Sequence, residues 1–129
     1  MSAGAGGELG VTAFEAAEWA LGAGRVFVTR GRTCYQPELR SVYLAGAMCF
    51  SRRVECVMEA LHECGHAEQH EAHRVLFALR NFWPVRWWLE EDAWRRAHAL
   101  GEKLGLSAAA RNVVRGADGS YSRARVFVR

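Results

Sequence analysis

The most constraining feature of this 129-residue chain is a long apolar helical stripe with two histidines one turn apart on the neighbouring face. Val54, Val57, Met58 and Leu61 recur at the i, i+3, i+4, i+7 spacing of an amphipathic helix, and Cys64 and Gly65 extend the stripe. A helix turns by about 100° per residue, so His62 and His66 share one face and Glu63 lies on its flank. The centre of the stripe lies roughly 100° from the histidine face. Such a helix buries one side in a core and offers the other to a cleft. Val75, Leu76 and Leu79 return to the stripe. The pattern therefore predicts helix from about Ser51, as N-cap, to about Arg80, with a bend near 70–73.

His62-Glu63-Cys64-Gly65-His66 is a His-Glu-x-x-His sequence. On a helix this spacing presents two imidazoles to one metal ion and a carboxylate to the water on that ion. Neutral imidazole suits Zn²⁺, and three protein ligands leave a fourth position for water. Zinc lowers the pKa of such a water towards neutrality, where a neighbouring glutamate can take its proton. The competing reading is a solvated surface helix that happens to be rich in histidine.

Ala60-Leu61-His62-Glu63-Cys64-Gly65-His66-Ala67 resembles the active-site helix of the zincin metallopeptidases. The likeness is to compact ImmA/IrrE-like endopeptidases and to neutral zinc metallopeptidases. Cys64 stands where those helices carry an aliphatic residue, and it falls on the buried stripe. The resemblance implies a minimal α+β zincin fold over residues 11–106, with His62 and His66 as zinc ligands and Glu63 as general base. It also implies a third ligand on a following helix, in a Glu-x-x-Ala setting. Glu90-Glu91-Asp92-Ala93 is similar to that setting, with Glu90 as the match. A strand along the cleft would align the substrate by backbone hydrogen bonds. Arg40–Leu44 or the strand before it is the expected rim.

Helical geometry separates Glu90 from its rival Glu91. Val85, Leu89, Ala93, Ala97, Leu100 and Leu104 define the apolar face of this second helix. Glu90 lies roughly 70° from the centre of that face and Glu91 nearly opposite it. The small Ala93 lets the helix pack closely on the motif helix. A purely structural alternative places all three acids at the helix N-terminus for its dipole alone. The metzincin pattern is excluded, because it needs a third histidine six residues after the second and position 72 is Ala. His70 and His73 follow on the histidine face as candidate supporting groups. His98, Tyr43 and Tyr35 are candidate donors to a developing oxyanion.

The other elements follow from local signals. Thr12 and Glu15 form a capping-box pair that opens a helix ending at Gly22 or Gly24. Residues 25–29 and 40–44 read as strands, with a turn region between Gly31 and Pro37. Val42 and Leu44 are expected to face inward. Pro84 suits the first turn of the second long helix, and Gly105 its end. Phe77, Phe82, Trp83, Trp87, Trp88 and Trp94 form an aromatic group for which core packing is the expectation. Residues 1–10 read as a flexible start and 107–129 as a basic β tail, with Asp118-Gly119 as a hairpin turn.

Composition limits the partners. Half of the residues are hydrophobic and 24% are charged, as in an ordinary globular domain of one core. A formal charge of +3 does not mark a nucleic-acid protein. Residues 111–129 hold five arginines against one aspartate, a candidate contact for an acidic partner or nucleic acid. No apolar run reaches the ~20 residues of a membrane span, and the start lacks the regions of a signal peptide. Cys34, Cys49, Cys56 and Cys64 form no Cys-x-x-Cys pair and read as reduced thiols in a cytoplasmic protein. The expected activity is zinc-dependent hydrolysis of peptide bonds in a peptide or protein substrate. The alternative is a catalytically silent zincin-like binding or regulatory module of phage or mobile-element origin.

Overall fold

The computed structural model describes residues 8–112. Helix α1 (Ala13–Leu21) opens on the expected capping box. Thr12 Oγ1 accepts from the Glu15 amide at 3.0 Å, and Glu15 Oε1 accepts from the Thr12 amide at 2.9 Å. These bonds satisfy amides that the first turn would otherwise leave bare. The helix ends at Gly22.

Three short strands follow: β1 (Val26–Thr29), β2 (Cys34–Gln36) and β3 (Ser41–Ala45). They form one sheet in the order β1-β3-β2, with β1 parallel and β2 antiparallel to β3. Side chains alternate across a strand, so Val42 and Leu44 point together into the core, where both are fully buried. Tyr43 points the other way and stacks on Phe27 of β1, with ring centroids 5.4 Å apart.

After the short α2 (Gly46–Cys49) comes the motif helix, α3 (Val54–Ala72). It packs against α1, β2 and β3 and, more extensively, against α5 (Trp83–Leu104). Its middle is consequently buried on nearly every side, from Val57 through His62, Glu63 and Cys64 to Ala67. Pro84 sits in the first turn of α5, and Gly105 ends it in the left-handed conformation at φ 99°. Short helices α4 (Arg74–Ala78) and α6 (Ala108–Asn112) complete the described chain. The result is a mixed α+β arrangement with a small three-stranded sheet, and no described helix is long and apolar enough to cross a membrane.

Several expectations need correction. The 31–37 region is not only a turn: it contains β2, whose three residues are too few for a clear alternation signal. Arg53, not Ser51, is the N-cap of α3, although Ser51 Oγ accepts from the Arg53 amide at 3.1 Å. The helical run breaks at His73 (φ −136°, ψ 64°), within the expected bend at 70–73, and resumes over Arg74–Ala78; the break turns Val75 and Leu79 outward, 77% and 51% exposed. Phe77 takes the core position instead. The aromatic group is not a core cluster: Phe82 and Trp83 are more than 60% exposed, and only Phe77 and Trp94 are buried. At the described end of the 1–10 start, Glu8 bridges to Arg53 and Leu9 is buried. Residues 108–112 are helical rather than part of a β tail; the hairpin around Asp118-Gly119 lies outside the described residues.

Candidate metal centre

The centre is built where α3 and α5 cross. Gly65 faces Ala93, and a Cβ on Gly65 would stand 2.7 Å from the Ala93 carbonyl oxygen. Without side chains in the way, the backbones close to contact, and residues one turn from the crossing meet. His62 and His66 flank Gly65, and Glu90 precedes Ala93 by almost one turn. One donor atom from each of the three lies within 4.8 Å of the others, a grouping that could hold a metal ion. His62 Nε2 is 3.2 Å from Glu90 Oε1, and His66 Nε2 is 3.1 Å from Glu90 Oε2. Glu91 is not part of this grouping.

Gln69 fixes the orientation of His66. Its side chain is fully buried, and its amide nitrogen donates to the Leu89 carbonyl at 2.6 Å and to Asp92 Oδ2 at 3.0 Å. Both protons are thereby committed, so Gln69 Oε1 is an acceptor, 2.9 Å from His66 Nδ1. His66 Nδ1 then carries the proton, and in the neutral ring the Nε2 lone pair faces Glu90. That is the tautomer a metal ligand requires. Arg96 extends the network, donating to Asp92 at 2.7 Å and to Glu68 at 3.4 Å.

His62 lies deeper, outside the cleft lining. The Trp94 ring stacks on it with centroids 4.0 Å apart. Although His62 Nε2 is close to Glu90, the pair is out of line for a hydrogen bond, and neither ring nitrogen finds such a partner among the described residues. An imidazole nitrogen buried in that condition is costly. A cation between it and the carboxylate would satisfy both, so the residues present fit a divalent ion.

The electrostatics follow from burial and proximity. Burial holds the His62 pKa down at about 4, with Glu90 opposing. Burial also works against the cation of His66, but Glu90 and Glu63 outweigh it and raise that pKa. Glu90 is driven up by burial and, more strongly, down by the two imidazoles, so it is ionised. In the metal-free state the cluster therefore holds Glu90 as an anion and His62 neutral, and shifts His66 towards its protonated form.

A cleft of about 600 Å³ opens over the centre, lined by Glu63, His66, Glu90, Phe77, Cys34 and Tyr35 among others. Glu63 is only 7% exposed, yet it reaches this cleft beside His66. Of the three aromatic or imidazole candidates for an oxyanion donor, the structure brings one to the cleft. Tyr43 lies on the far face of the sheet, and His98 is two turns along α5 from Glu90, about 12 Å away at 1.5 Å per residue. Tyr35 lines the cleft, and its hydroxyl is 2.8 Å from His70 Nδ1. His70 thus supports Tyr35 rather than the metal centre. His73 sits at the helix break against Trp88, their ring centroids 5.7 Å apart. The rim also differs from expectation. Strand β3 is the middle strand, so the edge beside the cleft is β2.

Gln69 and Trp94 were missed by sequence reasoning. Each carries a signal in its spacing: Gln69 lies three residues after His66, and Trp94 four after Glu90 on the same face of α5. No known protein family, curated protein or solved structure matches the chain significantly.

Proposed function

We propose that this chain is a zinc-dependent peptidase of the glutamate-ligand zincin type. The observation that carries the reading is the meeting of His62, His66 and Glu90 with Glu63 beside them at the head of an open cleft. Two imidazoles and one carboxylate form a borderline donor set that suits Zn²⁺. When bound, zinc would supply Lewis acidity towards a carbonyl oxygen and lower the pKa of a water.

The chain's own residues supply the rest. Glu63 takes a proton from the attacking water and delivers it to the leaving nitrogen. Gln69 keeps the His66 Nε2 lone pair turned to the ion. The edge of β2 aligns an extended peptide by backbone hydrogen bonds, and Tyr35 is the candidate donor to the developing oxyanion. One zinc ion per chain and a peptide or protein substrate in the cytoplasm complete the proposal.

The decisive experiment compares cleavage of a proteome-derived peptide mixture by zinc-loaded wild type and Glu63→Gln. The expected result is cleavage by wild type that falls at least about 100-fold in the variant. If wild type binds zinc stoichiometrically and cleaves nothing, the second reading takes over. That reading is a zincin-like module that binds without cutting, and it is favoured by the exposed Phe82 and Trp83 at the α4–α5 corner.

A further inference from the structure

The cleft carries opposite charge at its two ends. Glu55 and Glu59 precede Glu63 at one-turn steps along α3, and all three line the cleft. Arg53 pairs with Glu55 at 3.3 Å, and Arg32 also lines the cleft. The far end is different. There α4 turns into α5, and the cleft wall is formed by Arg80, Asn81 and Arg86. α3 and α5 run antiparallel, because Gln69 reaches Leu89 while Gly101 approaches Met58. The acidic and arginine ends therefore lie on opposite sides of the metal centre.

Arg80 is held in place by Phe77. Its Nη1 donates to the Phe77 carbonyl at 3.1 Å, and its Cζ lies 5.3 Å from the centroid of the Phe77 ring. The Phe77 ring is in turn 6.2 Å from that of His66. One aromatic ring thus separates Arg80 from a metal-ligating candidate. The acid nearest Arg80 is Glu38, at 3.9 Å with its side chain 73% exposed, a pair too solvated to neutralise it. Arg86 is exposed and has no ion-pair partner among the described residues. The field at this end registers on His70, whose pKa is held down by burial and then by Arg40, Arg74 and Arg80.

We propose that Arg80 and Arg86 form a subsite for a carboxylate of the bound peptide, from an acidic side chain or from its C-terminus. This rests on the peptidase reading and names the substrate class for it. A guanidinium pair engages a carboxylate by charge-assisted, in-plane hydrogen bonds, and a concave site strengthens that field.

The test uses matched fluorescent peptides of one length. One set carries Asp or Glu, or Asn or Gln, at each position. A second set carries a free or an amidated C-terminus. Cleavage is measured with zinc-loaded wild type, Arg80→Gln and Arg86→Gln. Binding of the same peptides is measured by fluorescence polarisation with zinc-loaded Glu63→Gln, alone and combined with each arginine variant. The expected result is that a carboxylate in one register improves kcat/KM and affinity about tenfold. Either arginine variant removes that gain and leaves the Asn, Gln or amide peptides unaffected. The two sets decide between a side chain and the C-terminus.

Equal treatment of acid and neutral peptides in both assays overturns the subsite, as does an equal loss for both in the arginine variants. Should no peptide be cleaved, the hydrolytic reading fails, while the polarisation data still decide for or against the carboxylate subsite. Zinc stoichiometry and circular dichroism of each arginine variant are required to match wild type.

Discussion

Gly65 and Ala93 touch backbone to backbone, and this single contact sets the spacing of the candidate metal centre. A Cβ at Gly65 would stand 2.7 Å from the Ala93 oxygen and 3.3 Å from its carbonyl carbon. The obstacle is main chain, which has no rotamer to escape into. Gly65→Ala is therefore expected to push α5 away, destabilising the fold by about 1–3 kcal/mol. It also withdraws Glu90 from the imidazoles and weakens metal binding. Thermal melts with and without zinc check both effects. An alanine variant with unchanged melting and unchanged zinc affinity would contradict the crossing described here.

The ligand assignment makes a contrast between neighbours. Glu90→Ala removes the anionic donor and leaves His62 and His66 to hold the ion, whereas Glu91→Ala removes a carboxylate outside the grouping. Competition with a chromophoric chelator is expected to show at least a 100-fold loss of zinc affinity for the first and no more than about a twofold change for the second. Zinc removal from wild type should lower the melting temperature, since a ligand bound only by the native state stabilises it by mass action. Equal losses in the two variants would sink the assignment.

Gln69 is a positioning residue whose effect is separable from simple packing. Gln69→Leu keeps the volume but removes the acceptor for His66 Nδ1, freeing the ring to adopt the other tautomer. It also removes the Gln69 amide donor from Leu89 O and from Asp92, whose carboxylate keeps its bonds from Arg96 and Arg95. A 10- to 100-fold loss of zinc affinity is expected, in the range of supporting hydrogen bonds to metal-bound histidine. Gln69→Glu keeps an acceptor, so it should retain more of the affinity than Gln69→Leu even where it is less stable. Isothermal titration of both variants tests the order, and Leu binding as tightly as Glu would reverse it.

The sequence carried the helices well because their signals are local or periodic. Thr12 and Glu15 exchange their two bonds within one turn, and Leu89, Ala93, Ala97 and Leu100 hold one buried face of α5 at helical spacing. What was illegible depends on contacts between distant segments. Strand β2 exists because Tyr35 pairs with Val42 and packs its ring near His70 and Phe77. No property of Cys34-Tyr35-Gln36 taken alone dictates that. His62 was expected on a face open to a cleft, yet it is fully buried, because α5 and Trp94 cover it. Phe82 and Trp83 looked like core and are exposed, because the break at His73 redirects the chain before it reaches them.

The protonation pattern of the cluster gives the last prediction, in which the two imidazoles act with opposite sign. His62 is buried neutral with its pKa lowered to about 4, while the unfolded chain takes up that proton near 6.5. Between these values the unfolded state binds more protons, so this group's contribution to stability falls as pH drops from about 6.5 to about 4. The loss is on the order of 3 kcal/mol. His66 runs the other way: its raised pKa gives stability that is fully present below about 6.5 and is lost as pH rises through its folded value. Zinc requires both rings neutral, so binding displaces the proton that the raised pKa favours on His66. Titrations at pH 7 in two buffers of different ionisation enthalpy should therefore show net proton release, and zinc affinity should rise with pH until His66 is neutral. In His66→Ala the proton release should fall. Proton release that persists undiminished in that variant would place the titrating group elsewhere.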